Sequence, residues 1–106
     1  MKHINLKNTE DRGRKGDFAE FYAVTWLWDN GYEVFKNCGS TGLVDMVAIK
    51  DGEITLIDVK TWCYNEKLGY CSLSGRSRTK EQKQLGVKLL GFYPDTRKLK
   101  FMEHRT

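Results

Sequence analysis

Two aspartates and a lysine stand in the order Asp45, then Asp58-x-Lys60, near the middle of the chain. Two carboxylates brought close together repel each other, and a hard divalent cation with oxygen ligands neutralises such a pair. A cation held there also activates a bound water and clamps a phosphate oxygen, while a nearby lysine stabilises developing negative charge. The set is therefore typical of a hydrolytic centre for phosphodiesters. The competing interpretation is two rim aspartates, one of them in an ordinary salt bridge with Lys60.

This chemistry requires the aspartates to meet, and a hairpin between them provides the geometry. Two β-rich runs are joined by Asp51-Gly52, the preferred two-residue hairpin turn. With those residues in the turn, Asp45 lies opposite Asp58, and Lys60 shares their face because side chains alternate with period two. The apolar companions on that face are expected to face the core: Val47, Ile49, Ile54 and Leu56.

A helix predicted from Phe18 to about Asp29, with Asp17 as its N-cap, adds a third carboxylate. Apolar residues follow two stripes of this helix, which predicts that it is covered on much of its circumference. Glu20 lies on one of these stripes. If the helix packs on the core face of the hairpin, Glu20 becomes a third, water-mediated metal ligand; the alternative is a solvated helix glutamate.

The remaining elements are read from periodicity and turn signals. They are a strand at 32–36, a small-residue loop at 37–42, strands at 43–50 and 53–61, an irregular segment at 62–78, a short helix from Thr79 to about Leu85, a strand at 87–93 and an edge strand at 98–102.

Composition limits the class of protein. The chain has 106 residues, 40% hydrophobic and 30% charged, which fits one globular domain. No run approaches eighteen apolar residues and the N-terminus is polar, so we expect neither a membrane span nor a secretory signal, and a cytoplasmic location. Three cysteines and two terminal histidines give no zinc ligand set with sensible spacing.

Charge is distributed unevenly along the chain. The net charge of +4 divides into +3 over 1–16, −5 over 17–75 and +6 over 76–106. Basic ends around an acidic centre suit a protein that grips a polyanion and holds a cation in the middle. The alternative is that the charge runs are simply solvated faces.

Several motifs, taken in order, resemble one nuclease family. They are Arg14-Lys15-Gly16 with Glu20, the loop Gly39-Ser40-Thr41-Gly42, Val44-Asp45, Asp58-Val59-Lys60 and Thr79-x-x-Gln82. Their order is similar to that of the PD-(D/E)xK nuclease superfamily and, within it, the small archaeal-type Holliday junction resolvases and their phage relatives. Two departures are a valine in place of proline before Asp45, and aspartate at position 58 where these resolvases usually show glutamate.

The resemblance implies a fold and a catalytic site. The fold class would be α/β, a restriction-endonuclease-like core with a central mixed β-sheet flanked by helices in the order α-β-β-β-α-β, forming a single nuclease domain over 1–106. Mg²⁺, with Mn²⁺ as a substitute, would be held by Asp45, Asp58 and the Val59 carbonyl. Glu20 would assist through water, and Lys60 would complete the catalytic set.

The resemblance also implies DNA as partner. Expected DNA contacts are Arg12, Arg14, Lys15, Ser40, Arg76, Arg78 and Gln82. The alternative role of each basic residue is solubility, and that of Ser40 is to shape a turn. The alternative role of Gln82 is a capping box with Thr79. Trp62 and Tyr64 are candidates for stacking on an unpaired base.

The expected function is metal-dependent, structure-selective cleavage of DNA, resolving four-way junctions and leaving 5′-phosphates, by a two-fold homodimer of prokaryotic, archaeal or phage origin. Two alternatives stay open: a less selective nicking or restriction-like endonuclease, and a non-catalytic nucleic-acid-binding module on the same fold.

Overall fold

A computed structural model describes residues 9–39, 42–65, 70–73 and 78–102, with side chains described for all of these except 9–12, 63–65 and 70–73. That part of the chain forms two helices and six strands. They are α1 (Thr9–Asp29), β1 (Glu33–Lys36), β2 (Met46–Lys50), β3 (Glu53–Asn65), β4 (Tyr70–Leu73), α2 (Lys80–Leu85), β5 (Lys88–Tyr93) and β6 (Lys98–Phe101). Neither described helix has the length and apolar character needed to cross a membrane.

The strands form a mixed sheet. Five of the described strands follow the order β1-β2-β3-β5-β6, and β4 pairs with the far end of β3. The β3–β5 pair is parallel, whereas the other four pairs between described strands are antiparallel. The predicted mixed sheet with flanking helices is confirmed, as is the edge strand predicted at 98–102, which is β6; β4 is an additional strand.

The hairpin between β2 and β3 has the predicted register. Asp51 and Gly52 both have positive φ, 52° and 78°, as the favoured two-residue turn requires. From this turn the pairing continues to Met46 opposite Ile57. The register therefore brings together the ends of β2 and β3 that carry the acids.

The core lies on the other face of this hairpin from the one predicted. Met46, Ala48 and Ile57 are fully buried and pack with α1, whereas Ile54 on the predicted core face is 68% exposed. The other three predicted core residues on that face are half-buried: Val47, Ile49 and Leu56. Both faces carry apolar side chains at alternate positions, so periodicity determines the register but not which face a helix covers.

Helix α1 begins two turns earlier than predicted. It starts at Thr9 and runs through Gly13 and Gly16, so Asp17 is an interior residue rather than the N-cap. Glycine lowers helix propensity by about 1 kcal/mol, which is why the sequence pattern favoured a start after Gly16. Tertiary packing of the following turns on the sheet outweighs that local cost.

Only one side of α1 is covered by the described chain. Ala23 and Leu27 are fully buried, but Phe18, Phe21 and Trp28 are 45%, 59% and 59% exposed. The predicted coverage of much of the circumference is therefore wrong for this helix among the described elements.

The segment predicted to be irregular at 62–78 contains regular structure. Strand β3 continues to Asn65, and β4 pairs with it in antiparallel register from Trp62 opposite Leu73 to Asn65 opposite Tyr70. Backbone pairing with β4 satisfies the hydrogen bonds that this part of β3 would otherwise leave open. The rest of the predicted loop lies outside the described residues, apart from Arg78.

Candidate active site

The hairpin ladder is offset at Asp45. A regular continuation would pair Asp45 with Asp58, but the Asp45 N–H donates to the Ile57 carbonyl at 2.8 Å, and Ile57 is already the partner of Met46. This two-against-one arrangement is that of a β-bulge, which re-aims a side chain. Asp45 Oδ2 consequently accepts the backbone N–H of Val59 at 2.7 Å.

The Asp45 carboxyl is strongly perturbed. Its pKa is raised from 3.8 to about 7, chiefly by burial and next by a hydrogen bond to the Asp58 side chain. The Val59 N–H opposes this shift in pKa, and the charges of Asp58 and Glu20 add to it. Below about pH 7 the metal-free protein therefore holds a proton on Asp45 and shares it with Asp58, because burial and the neighbouring carboxylate both disfavour the charged form of Asp45.

Asp58 is buried and held from two directions. Its Oδ2 accepts a hydrogen bond from Gln82 Nε2 at 3.1 Å and lies 3.4 Å from Lys60 Nζ. Asp58 is 9% exposed, so this carboxylate has a fixed position. The structure thus brings Asp58 and Lys60 to one side of β3, as the alternation of side chains predicts.

Gln82 positions Asp58 while also capping α2. Its backbone N–H donates to Thr79 Oγ1 at 3.1 Å, and its Oε1 accepts the Thr79 N–H at 3.0 Å, forming the predicted capping box. Its Nε2 also donates to the Leu43 carbonyl at 2.9 Å, in addition to Asp58. Gln82 is 7% exposed. Its burial supports a positioning role in the free protein rather than the DNA contact expected from the sequence.

Glu20 reaches the neighbourhood of Asp45 from α1, which packs on the opposite face from Asp58. Its charge contributes to the raised pKa of Asp45, and both residues line one open cleft of about 340 Å³. Glu20 Oε1 lies 3.5 Å from Lys36 Nζ. The prediction that α1 packs on the face of the hairpin that carries Asp58 is therefore wrong. Glu20 nevertheless lines the cleft together with Asp45.

Lys36 is a cleft residue that the sequence reasoning missed. It ends β1, is half-buried, and places its ammonium group beside Glu20 and 4.9 Å from the centroid of the Phe21 ring. Lys36 is one of four basic residues in the acidic section 17–75. A lysine in a section with excess negative charge was the sequence signal that could have indicated a role at the site. The neighbouring loop is shaped by Asn37, whose Nδ2 donates to the Val44 carbonyl and whose Oδ1 accepts the Gly39 N–H.

The donor set fits a small, hard cation. Among the described residues, no three His, Cys, Asp or Glu side chains form a group able to hold a metal ion, whereas Asp45 and Asp58 form a pair. Mg²⁺ commonly binds through one or two carboxylates and keeps several waters. Asp45 and Asp58 lie close enough to share a hydrogen bond and are a carboxylate pair of this kind.

The predicted DNA contacts occupy different surroundings. Arg14 is exposed and Lys15 is half-buried on α1, while Arg78 Nη1 donates to the Val87 carbonyl at 3.1 Å. Ser40, Arg76 and the side chain of Arg12 lie outside the described residues, as does the side chain of Tyr64. Trp62 is already stacked on Tyr93, with ring centroids 5.1 Å apart.

The mixed sheet and its flanking helices define an α/β protein with a restriction-endonuclease-like core. The chain is similar to the solved structure of a bacterial homing endonuclease, with a TM-score of 0.65, 21% sequence identity and alignment over 83% of this chain. The alignment spans 62% of that endonuclease chain. Comparison with curated proteins gives no match.

The chain belongs to the archaeal Holliday junction resolvase family. The model of that family matches residues 11–68, a stretch that contains Glu20, Asp45, Asp58 and Lys60. The match therefore confirms the family resemblance drawn from these motifs.

Proposed function

We propose that this protein is a metal-dependent DNA endonuclease that resolves four-way junctions by phosphodiester hydrolysis, leaving a 5′-phosphate and a 3′-hydroxyl. The observation that carries the proposal is the Asp45–Asp58 pair with Lys60 Nζ 3.4 Å from Asp58, inside the stretch matched by the family. Adjacent acids that must share a proton are costly for a protein that only binds DNA.

Each side chain has a defined part in the proposed reaction. Asp45, Asp58 and the Val59 carbonyl would hold Mg²⁺, for which Mn²⁺ substitutes, and Glu20 would assist through water. The ion, when bound, makes water a stronger nucleophile and neutralises phosphate charge. Lys60 stabilises the negative charge that develops on the phosphate.

The surrounding contacts fix this geometry before substrate arrives. Gln82 and the Val59 N–H each hold one of the two carboxylates through a hydrogen bond. A carboxylate that is already oriented need not be reorganised in the transition state, which is the basis of electrostatic preorganisation.

A two-fold homodimer is part of the proposal, because two cuts in one junction need two sites. Phe35, Val47 and Leu56 form a row across three strands on the sheet face away from α1, and Phe35 is 53% exposed. A second row on the same face runs from acidic Glu33 through Ile49 to exposed Ile54. An apolar surface with an acidic neighbour suits a second copy of the chain better than a DNA backbone.

The test is cleavage of a mobile four-way junction, a flap, a linear duplex and a single strand, each with Mg²⁺ and with EDTA. We expect paired nicks in the junction with Mg²⁺ and no products with EDTA. Cleavage of the duplex at the same rate would show a less selective endonuclease instead. Binding without cleavage of any substrate would show a non-catalytic module and overturn the proposal.

A further inference from the structure

The outward face of α1 carries aromatic side chains where a surface helix normally carries polar ones. Phe18, Phe21 and Trp28 are separated by three and seven residues, so they share one face, opposite fully buried Ala23 and Leu27. Phe18 packs at one side on Phe92 of β5, but more than half of Phe21 and of Trp28 stays exposed among the described residues. Exposed large aromatics arranged in a stripe indicate an interaction surface.

Phe21 is the member of this stripe that borders the active-site cleft. Lys36 Nζ lies 4.9 Å from the Phe21 ring centroid and 3.5 Å from Glu20 Oε1, so one ammonium group contacts both the ring and a cleft acid. Phe21 is nevertheless 59% exposed, which leaves much of its ring open to a ligand. A molecule that enters the cleft beside Lys36 therefore meets this ring.

The cations at the Phe18–Phe21 end of the stripe favour nucleic acid as the occupant of that end. Arg97 lies over Phe18 at 4.9 Å, Lys36 lies over Phe21, and exposed Arg14 is on the same face one turn before Phe18. Cations interleaved with aromatic rings are typical of surfaces that track a phosphate backbone while bases stack on the rings. A second copy of the chain would instead have to bury these like charges against each other.

We propose that Phe21 is a substrate-positioning residue that stacks on an unpaired base next to the cleaved phosphate, while Lys36 contacts the adjoining backbone. This inference rests on the proposed nuclease function and names the DNA feature that the site selects. A base inside a duplex has both faces stacked on its neighbours and offers none to the ring. Phe21 therefore favours branched, flapped or frayed DNA over continuous duplex.

The experiment measures binding and stacking without cleavage. Forked DNA carrying 2-aminopurine in the unpaired arm nearest the branch, and a linear duplex of matched length, are titrated in EDTA with wild type, Phe21→Leu, Phe21→Trp and Trp28→Leu. Trp28→Leu is the matched control, since Trp28 is also 59% exposed on this helix face but lies two turns further from the cleft.

We expect wild type and Phe21→Trp to quench 2-aminopurine fluorescence and to prefer the fork. Phe21→Leu should lose the quenching and weaken fork binding roughly ten- to a hundred-fold, the effect of losing one stacked base, with duplex binding within about twofold of wild type. Trp28→Leu should behave as wild type with both DNAs.

Three results would overturn the inference. They are unchanged quenching in Phe21→Leu, an equal loss of fork and duplex binding in that variant, and conversion of both Phe21→Leu and Trp28→Leu from dimer to monomer, which would make the stripe a protein interface. The fluorescence readout does not need catalysis. If quenching depends on Phe21 but the protein shows no Mg²⁺-dependent cleavage, the proposed function is wrong and this inference stands. If the wild type cuts junctions but Phe21→Leu keeps wild-type quenching and fork binding, this inference is wrong and the proposed function stands.

Discussion

The proton held by Asp45 connects the electrostatics of the free protein with cation binding. Burial and the neighbouring Asp58 raise the pKa of Asp45 to about 7, so the carboxyl must lose this proton before both oxygens can serve a cation. Metal binding at such a site releases protons and weakens as pH falls. A proton and a metal ion therefore compete for the Asp45–Asp58 pair.

The pH dependence of stability follows from the same group. The pKa of Asp45 is about 7 in the folded protein and 3.8 unfolded, so between these values the folded state binds more protons. The free energy of unfolding of the metal-free protein should therefore fall as pH rises from about 4 to about 7, and stay lowered above that. Saturating Mg²⁺ should raise the melting temperature more at about pH 8 than at about pH 5.5.

Thermal melts at both pH values, with MgCl₂ and with EDTA, measure this difference. Asp45→Asn is the control and should remove both the fall in stability across this pH range and most of the Mg²⁺ effect. An Mg²⁺ stabilisation that is equal at the two pH values in wild type would contradict the proposed link between Asp45 and the cation.

Gln82 provides a residue-scale test of how Asp58 is held. Gln82→Leu removes one hydrogen bond from buried Asp58 and one from the Leu43 carbonyl, and it breaks the α2 capping box. We expect a loss of about 1–3 kcal/mol in the free energy of unfolding, measured by urea denaturation. Gln84→Leu on the exposed side of the same helix should change it by less than about 0.5 kcal/mol. Equal effects of the two substitutions would show that Gln82 has no special part.

The central acids could be located from the sequence because a single turn determines their neighbours. Asp51-Gly52 sets the register of β2 and β3, and that register carries Asp45 to Asp58 and places Lys60 beside it. The bulge at Asp45 could not be foreseen, since no turn residue or change in the apolar pattern marks the bond from the Asp45 N–H to the Ile57 carbonyl. Lys36 was also missed because its contact with Glu20 depends on how α1 crosses β1, which is tertiary geometry that local sequence does not show.

At the scale of elements, two glycines should respond to alanine with opposite signs. A Cβ on Gly91 of β5 would lie 2.5 Å from Trp62 Nε1, so Gly91→Ala should cost about 1–3 kcal/mol through overpacking. Gly13 of α1 has no atom within 4 Å of its added Cβ, so Gly13→Ala should stabilise the helix by about 0.5–1 kcal/mol. Urea denaturation of both variants checks this, and destabilisation by Gly13→Ala would contradict the observed extent of α1.

Elements bounded by local chemistry were predicted well, and elements that depend on packing were not. Thr79 and Gln82 mark the start of α2, and Gly86 ends it with a positive φ of 76°, as a helix C-cap often does. The start of α1 was predicted too late because Gly13 and Gly16 lower the local helix propensity, whereas tertiary contacts stabilise the helix. Strand β4 was missed because neither its own sequence nor that of β3 shows a local pattern that predicts their pairing.

At the scale of the whole molecule, the exposed sheet face should decide the oligomeric state. A charge at Ile54 in the centre of a dimer interface would be buried without a partner, so Ile54→Lys should convert the proposed dimer to a monomer in sedimentation equilibrium. Trp28→Lys, on the outer face of α1, should remain dimeric. A wild-type monomer, or an Ile54→Lys dimer as tight as wild type, would show that this face is not the interface.

The central claim, that Asp45, Asp58 and Lys60 form a hydrolytic site for DNA, is tested most directly by single-turnover cleavage of a four-way junction with Mg²⁺ by wild type and Asp58→Asn. The account predicts a loss of at least about a hundred-fold in rate, as for removal of a preorganised charged group, with junction binding little changed. Asp51→Asn, in the exposed hairpin turn, should cut as wild type. Cleavage by Asp58→Asn at the wild-type rate would contradict the account.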